Sequence, residues 1–225
     1  MKELSLRCAQ QLLSAGLLIV FSNTAVWAKN VGQESPGVAI SVFNDLGISS
    51  EILMQAEEVS SHVFGEAGIH VDWVNCSPQD EAPSGKVACR QAIPQHLHLH
   101  IVRRSLNLRD FTLGISYLAS DGTGFQADIF YEGIENLRRE TFVDPAIILG
   151  HVAGHEIGHL LLGTNSHSAG GIMRAHWKME ELARASKGLL LFTKSQSHRM
   201  TEKLCVVMSR REWRSTTSTE LSAEG

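Results

Sequence analysis

The chain has 225 residues, 43% hydrophobic and 20% charged, which suits one globular domain with tails. A formal net charge of −4 excludes the basic footprint of a nucleic-acid-binding domain. A pI near 6.2 offers nothing to a polyanion or an anionic membrane surface.

The N-terminus reads as a separate object. Lys2 and Arg7 precede an apolar run from Leu12 to Phe21, and Val26-Trp27-Ala28 has the small residues of a cleavage site. We therefore expect residues 1–28 to be a secretory signal peptide, the run being short for a retained membrane anchor. Export through it implies a secreted or periplasmic protein with no stable membrane association after cleavage. Cys8 leaves with the leader. Cys76 and Cys89 flank a polar loop and can form a local disulfide in an oxidising compartment. Cys205 lies on a helical apolar pattern and reads as a buried structural thiol.

Residues 29–37 form a polar arm, and 38–43 a buried strand. Ser49 or Ser50 caps a helix over about 51–67, with Ile52, Ala56, Val59 and Val63 on its apolar face and Gly68 at its end. A second strand spans 69–74. A third places Leu97, Leu99 and Ile101 opposite His96, His98 and His100, which read as the polar face of a half-solvated strand rather than as metal ligands. Short strands follow over 114–118 and 126–131. Residues 132–143 are charged and loop-like, with room for a helical turn.

Asp144-Pro145 is an acidic cap followed by proline at the first helical position, opening a helix that runs to about Leu162. Gly150, Gly154 and Gly158 recur every fourth residue on it, at a cost in propensity that suggests close packing against another backbone. After the tight turn Gly170-Gly171-Ile172-Met173 comes a helix over about 179–190. Thr193 and Gln196 match a capping box opening a last helix striped by Met200, Leu204 and Val207. Residues 209–225 read as a disordered tail. Strand, helix, strands and a long helix give an α+β layout, with helices on one mixed, twisted sheet of four to five strands.

The chemistry concentrates at His155-Glu156-Ile157-Gly158-His159. Histidines four apart on a helix share a face one turn apart, so both rings can reach one zinc ion with Glu156 beside it as a general base. A third protein ligand is needed, together with an open position. His167 follows the helix-ending Gly163, and His151 and His176 are its rivals. His151 sits on the same helix, where three ligands two turns long converge poorly on a tetrahedral ion.

These residues resemble the metzincins, zinc endopeptidases with H-E-x-x-H-x-x-G-x-x-H and a methionine turn under the metal. Here Gly163 comes one position late and His167 two positions late, while Ser166-His167-Ser168 and Met173 look most similar to a matrixin-type segment. The resemblance covers about 155–177 in motif and extends loosely, in element order, across 38–163. It implies one catalytic Zn2+ held by His155, His159 and His167, Glu156 as general base, Met173 as the turn methionine, and a peptide or protein substrate. It also implies strand addition of the substrate on an edge strand, for which 126–131 is the candidate. Met173 to Trp177 would wall the pocket for the residue after the scissile bond. His176 or Arg174 stands where some relatives carry an oxyanion-stabilising tyrosine. The peptidase domain is then 29–208. A zinc-binding module without peptidase activity is the alternative, against which the intact Glu156 argues.

Overall fold

The computed structural model describes residues 35–77, 89, 96–103 and 112–206. The expected leader, Val207 and the C-terminal tail lie outside them. The elements are β1 (Gly37–Asn44), α1 (Ser50–Gly65), β2 (His70–Cys76), β3 (His96–Val102), β4 (Gly114–Tyr117), β5 (Gln126–Phe130), α2 (Tyr131–Thr141), α3 (Pro145–Leu162) and α4 (Met179–Ala185). A last helix, α5, occupies 194–206.

The five strands form one sheet in the order β2-β1-β3-β5-β4, parallel except for the antiparallel β4–β5 pair at one edge. Period-two alternation sorts its faces. Val38, Ile40, Val42, Leu97, Leu99, Ile101 and Ile129 enter the main core with the apolar sides of α1 and α3. Phe43, Cys76 and Cys89 form a small separate cluster on the opposite face. There Cys76 and Cys89 are disulfide-bonded, with Cα atoms 5.9 Å apart.

On that opposite face His98 and His100 are half-buried, as a half-solvated strand implies, and His96 alone is less solvated than its alternation suggested. His96 is buried and shares a 2.7 Å hydrogen bond with Ser41 Oγ. His100 stacks on Phe43, ring centroids 4.4 Å apart. Burial, and then the neighbouring His98, hold the His96 pKa below its ordinary value.

Four local expectations need correction. Residues 131–141 are a full helix rather than a loop: Ile134 is completely buried, and one anchoring side chain with Leu137 packed against the core suffices to hold an otherwise charged segment. The helix expected over 179–190 stops at Ala185, and Gly188 turns the chain at φ 67°. The inward face of α1 is wider than expected: Ala56 and Val63 are buried, Ile52 packs on the core and Val59 meets Gly150, and Leu53, Ser60 and Phe64 are buried beside them. Cys205 is only half-buried.

The glycine row on α3 works as close packing. A Cβ on Gly150 would lie 2.5 Å from the Ala56 carbonyl oxygen and 2.7 Å from Val59 Cβ, both on α1. A Cβ on Gly158 would lie 2.8 Å from Met173 Sδ and 2.7 Å from Phe192 Cε1. The row lets α1 approach one end of the helix and the turn at Met173 approach the other. Gly150→Ala gains about 1 kcal/mol in helix propensity. Because the obstacle is backbone, we expect overpacking of about 1–3 kcal/mol or more to outweigh that gain. A lower denaturant midpoint at unchanged slope checks this.

Candidate active site

Asp144 caps α3 by accepting a 2.8 Å bond from the Ala146 N–H, and Pro145 takes the first turn. Gly163 ends the helix in the left-handed region at φ 68°, its N–H donating to the His159 carbonyl. Between these ends nearly every side chain is buried, including His155, Glu156 and His159 at 8%, 6% and 4% exposure. Polar groups so placed must be hydrogen-bonded or engaged by a ligand.

Two bonds fix the helical imidazoles. His155 Nδ1 donates to the Ile172 carbonyl at 2.7 Å, and His159 Nδ1 donates to the Thr164 carbonyl at 2.7 Å. A carbonyl can only accept, so each Nδ1 carries the proton and each Nε2 presents a bare lone pair. The two Nε2 atoms lie 3.0 Å apart. Two lone pairs at that distance repel unless one ring is protonated or a cation lies against both. Protonation is disfavoured: burial pushes His155 down to about 4 and lowers His159 as well. The donor chemistry therefore fits a metal ion.

His167 completes the group. Its ring centroid lies 5.3 Å from that of His155 and 5.0 Å from that of His159, and one ligand atom from each of the three falls within 4.8 Å of the others. The set could bind one zinc ion, since neutral imidazoles are its common ligands. The returning loop is held by the Ser168 N–H, which donates to the Met173 carbonyl at 2.9 Å. Met173 is fully buried against Gly158, directly under the motif.

The rivals stand apart. His151 Nδ1 bonds the Ile147 carbonyl, and its ring meets Trp177 edge-on. His176 lines the adjoining cleft, outside the triad. Arg174 also lines the cleft but is paired with Glu181 at 2.7 Å.

Glu156 lies against the sheet edge. Ser116 Oγ is 2.6 Å from Glu156 Oε2 and 2.8 Å from the Glu156 carbonyl oxygen. A Cβ on Gly114 would come within 2.7 Å of Glu156 Cγ, so the missing side chain makes the space. Burial raises the carboxyl to about 7, against a smaller lowering by Ser116. Neither Ser116 nor Gly114 was singled out from the sequence, because no local pattern relates β4 to a helix 40 residues on.

A cavity of ≈1120 Å³ opens on the triad and runs between β4, α2 and Trp177. The strand beside it is β4. The candidate edge strand 126–131 is instead interior, since β5 pairs with β3 on one side and β4 on the other.

The fold is similar to that of a zinc-dependent peptidase. That structure, from Methanocorpusculum labreanum (strain Z), matches with a TM-score of 0.50 at 16% identity, over 72% of this chain and 99% of that one. Archaemetzincin from Methanopyrus kandleri matches at 0.47 and 16% identity, over 77% and 98% of the two chains. Metalloproteinase-II from Bacteroides fragilis matches at 0.46 and 12%, over 76% and 53%. No protein-family model and no curated protein sequence matches the chain. At such identities the likeness concerns the fold alone.

Two outcomes follow from the geometry. His167→Ala should weaken zinc binding by more than the roughly ten- to hundredfold that loss of an outer hydrogen-bond partner costs. His151→Ala should leave it unchanged, as read by competition with a chromophoric chelator. In the metal-free protein, burial of ionised Glu156 weakens the fold as pH rises from the unfolded carboxyl pKa, near 4.5, through about 7. Glu156→Gln removes that penalty, so its stability advantage over wild type should grow across this window in chelator-containing denaturation series.

Proposed function

We propose that the chain is a zinc-dependent endopeptidase of metzincin type. The observation that carries this reading is the convergence of three imidazoles beside a buried carboxylate, with the tautomers of two rings fixed by backbone carbonyls. His155, His159 and His167 are the ligands, and Zn2+, when bound, supplies Lewis-acid activation of a water and of the scissile carbonyl.

Glu156 is the general base. Its raised pKa in the metal-free site suits a group that takes a proton from the attacking water and returns it to the leaving amine. Met173 supports the helical ligands from below, and its neighbour Ile172 orients His155 through the carbonyl. The cleft is apolar at Leu113, Leu137, Val152 and Trp177. It accommodates a substrate side chain, with the Met173–Trp177 segment as one wall. The peptide lies along the open edge of β4, by strand addition.

The remaining parts of the reading follow the sequence. Residues 29–208 are the peptidase domain, and the segment around His167 and Met173 is nearest to the matrixin type. Residues 1–28 direct export to a secreted or periplasmic location, an assignment supported by the Cys76–Cys89 disulfide, since such bonds persist in oxidising compartments.

Glu156→Gln should retain one equivalent of zinc while peptide hydrolysis falls by at least about a hundredfold, within the range expected for loss of a general base. Wild-type activity should disappear with chelator and return with Zn2+. Undiminished hydrolysis by Glu156→Gln would overturn the assignment of the base, and a wild-type chain that takes up no zinc would overturn the whole reading.

A further inference from the structure

The strand that would receive a peptide is also the strand that holds the carboxylate. β4 pairs antiparallel with β5 in the register Gly114↔Ile129 to Tyr117↔Gln126. The Phe130 N–H donates to the Leu113 carbonyl at 2.8 Å, one step further in the same register. In an antiparallel ladder, hydrogen-bonded and non-hydrogen-bonded pairs alternate. Leu113, Ile115 and Tyr117 therefore turn their backbone groups toward β5. Gly114 and Ser116 turn theirs toward the outer edge, which no described strand occupies and where an added strand would bond.

Those same two residues contact Glu156. Ser116 is nearly buried at 6% exposure, and its hydroxyl lies 2.6 Å from Glu156 Oε2. Its one proton is shared between Oε2 and the Glu156 carbonyl oxygen at 2.8 Å, the shorter separation being typical of a charge-assisted O–H···O⁻ bond. Gly114 leaves the space that the carboxylate side chain fills. A glutamate has three side-chain torsions, and without a partner a carboxylate on a buried helix face would sample more than one of them. The Ser116 bond engages one lone-pair direction of Oε2 and leaves the others for a water in the cleft.

We propose that Ser116 is a positioning residue for Glu156. Together with Gly114 it makes β4 a single device that aligns a peptide backbone and aims the base at it. This rests on the peptidase reading for its consequence in catalysis, but not for the Ser116–Glu156 bond itself.

The test uses zinc-loaded, full-length mature protein and two independent readouts. Ser116→Ala should lower kcat by about ten- to a hundredfold, the loss expected for one hydrogen bond to a charged group. KM and zinc stoichiometry should stay unchanged, and Ser116→Thr should restore most of the rate. Gly114→Ala, whose added Cβ would press on Glu156 Cγ, should lower kcat while retaining zinc. In parallel, the side-chain carboxyl 13C resonance of Glu156, recognised by its absence from Glu156→Gln, should shift or broaden in Ser116→Ala and recover in Ser116→Thr. An unmoved resonance, a kcat within about twofold of wild type, or loss of zinc along with activity would each overturn the proposal. If wild type hydrolyses no peptide, the functional reading fails, and the carboxyl resonance still decides whether Ser116 holds Glu156.

Discussion

The bond from His155 Nδ1 to the Ile172 carbonyl joins the two halves of the site. On one side of it is a helix buried almost end to end; on the other is the turn that leads into Met173. The bond satisfies a buried N–H, fixes the tautomer, and aims Nε2 at its counterpart on His159. The Trp177 indole N–H donates to the same carbonyl, and the Ile172 N–H donates to the Leu191 carbonyl. Three elements thus meet at one residue, Ile172, so a displacement of the turn would move the His155 ring directly.

The glycine row is what permits that meeting. A helix carrying Gly150, Gly154 and Gly158 gives up propensity at three positions, each worth about 1 kcal/mol relative to alanine. The return is proximity. At Gly150 the main chain of α1 reaches the helix, and at Gly158 the Met173 sulfur and the Phe192 ring occupy the place of a side chain. A side chain at 158 would force the Met173 sulfur and the Phe192 ring to shift, next to the residue whose carbonyl holds His155. Local instability of the helix is therefore tied to the precision of the site, and tertiary packing supplies what propensity lacks.

How much of this was legible in the sequence depends on whether the signal was local. The ends of α3 were readable because capping is local chemistry: Asp144 and Pro145 open the helix and Gly163 closes it. The capping box at Thr193 and Gln196 was readable for the same reason, and both of its bonds are present. The pairing of Cys76 with Cys89 followed from a short polar loop. The helix α2 is hard to read because charged residues dominate it, although Tyr131, Ile134 and Leu137 recur at helical spacing and face the core. Strand order was also hidden: β4 and β5 looked alike as short alternating runs, and only the sheet shows that β5 is interior. Ser116 was silent because its partner lies on another element, set by the register between a strand and a helix.

The stretched spacing between His159 and His167 is resolved by where the loop is fastened rather than by how many residues it contains. Gly163 leaves the helix in a left-handed conformation, and the next carbonyl, that of Thr164, at once orients His159. At the far end, the Ser168 N–H is tied to the Met173 carbonyl, and its hydroxyl donates to the Gly170 carbonyl. Between these anchors the chain bulges outward: Thr164, Asn165 and Ser166 are partly or fully exposed, with the Thr164 hydroxyl bonding Ser166 locally. Because a surface loop lengthens at little entropic cost, added residues go into that bulge. The position of the His167 ring is then governed by the Ser168–Met173 tie, the same turn that holds His155. The third imidazole and the first are both positioned from the residues around Met173, so the set converges although its spacing departs from the metzincin pattern.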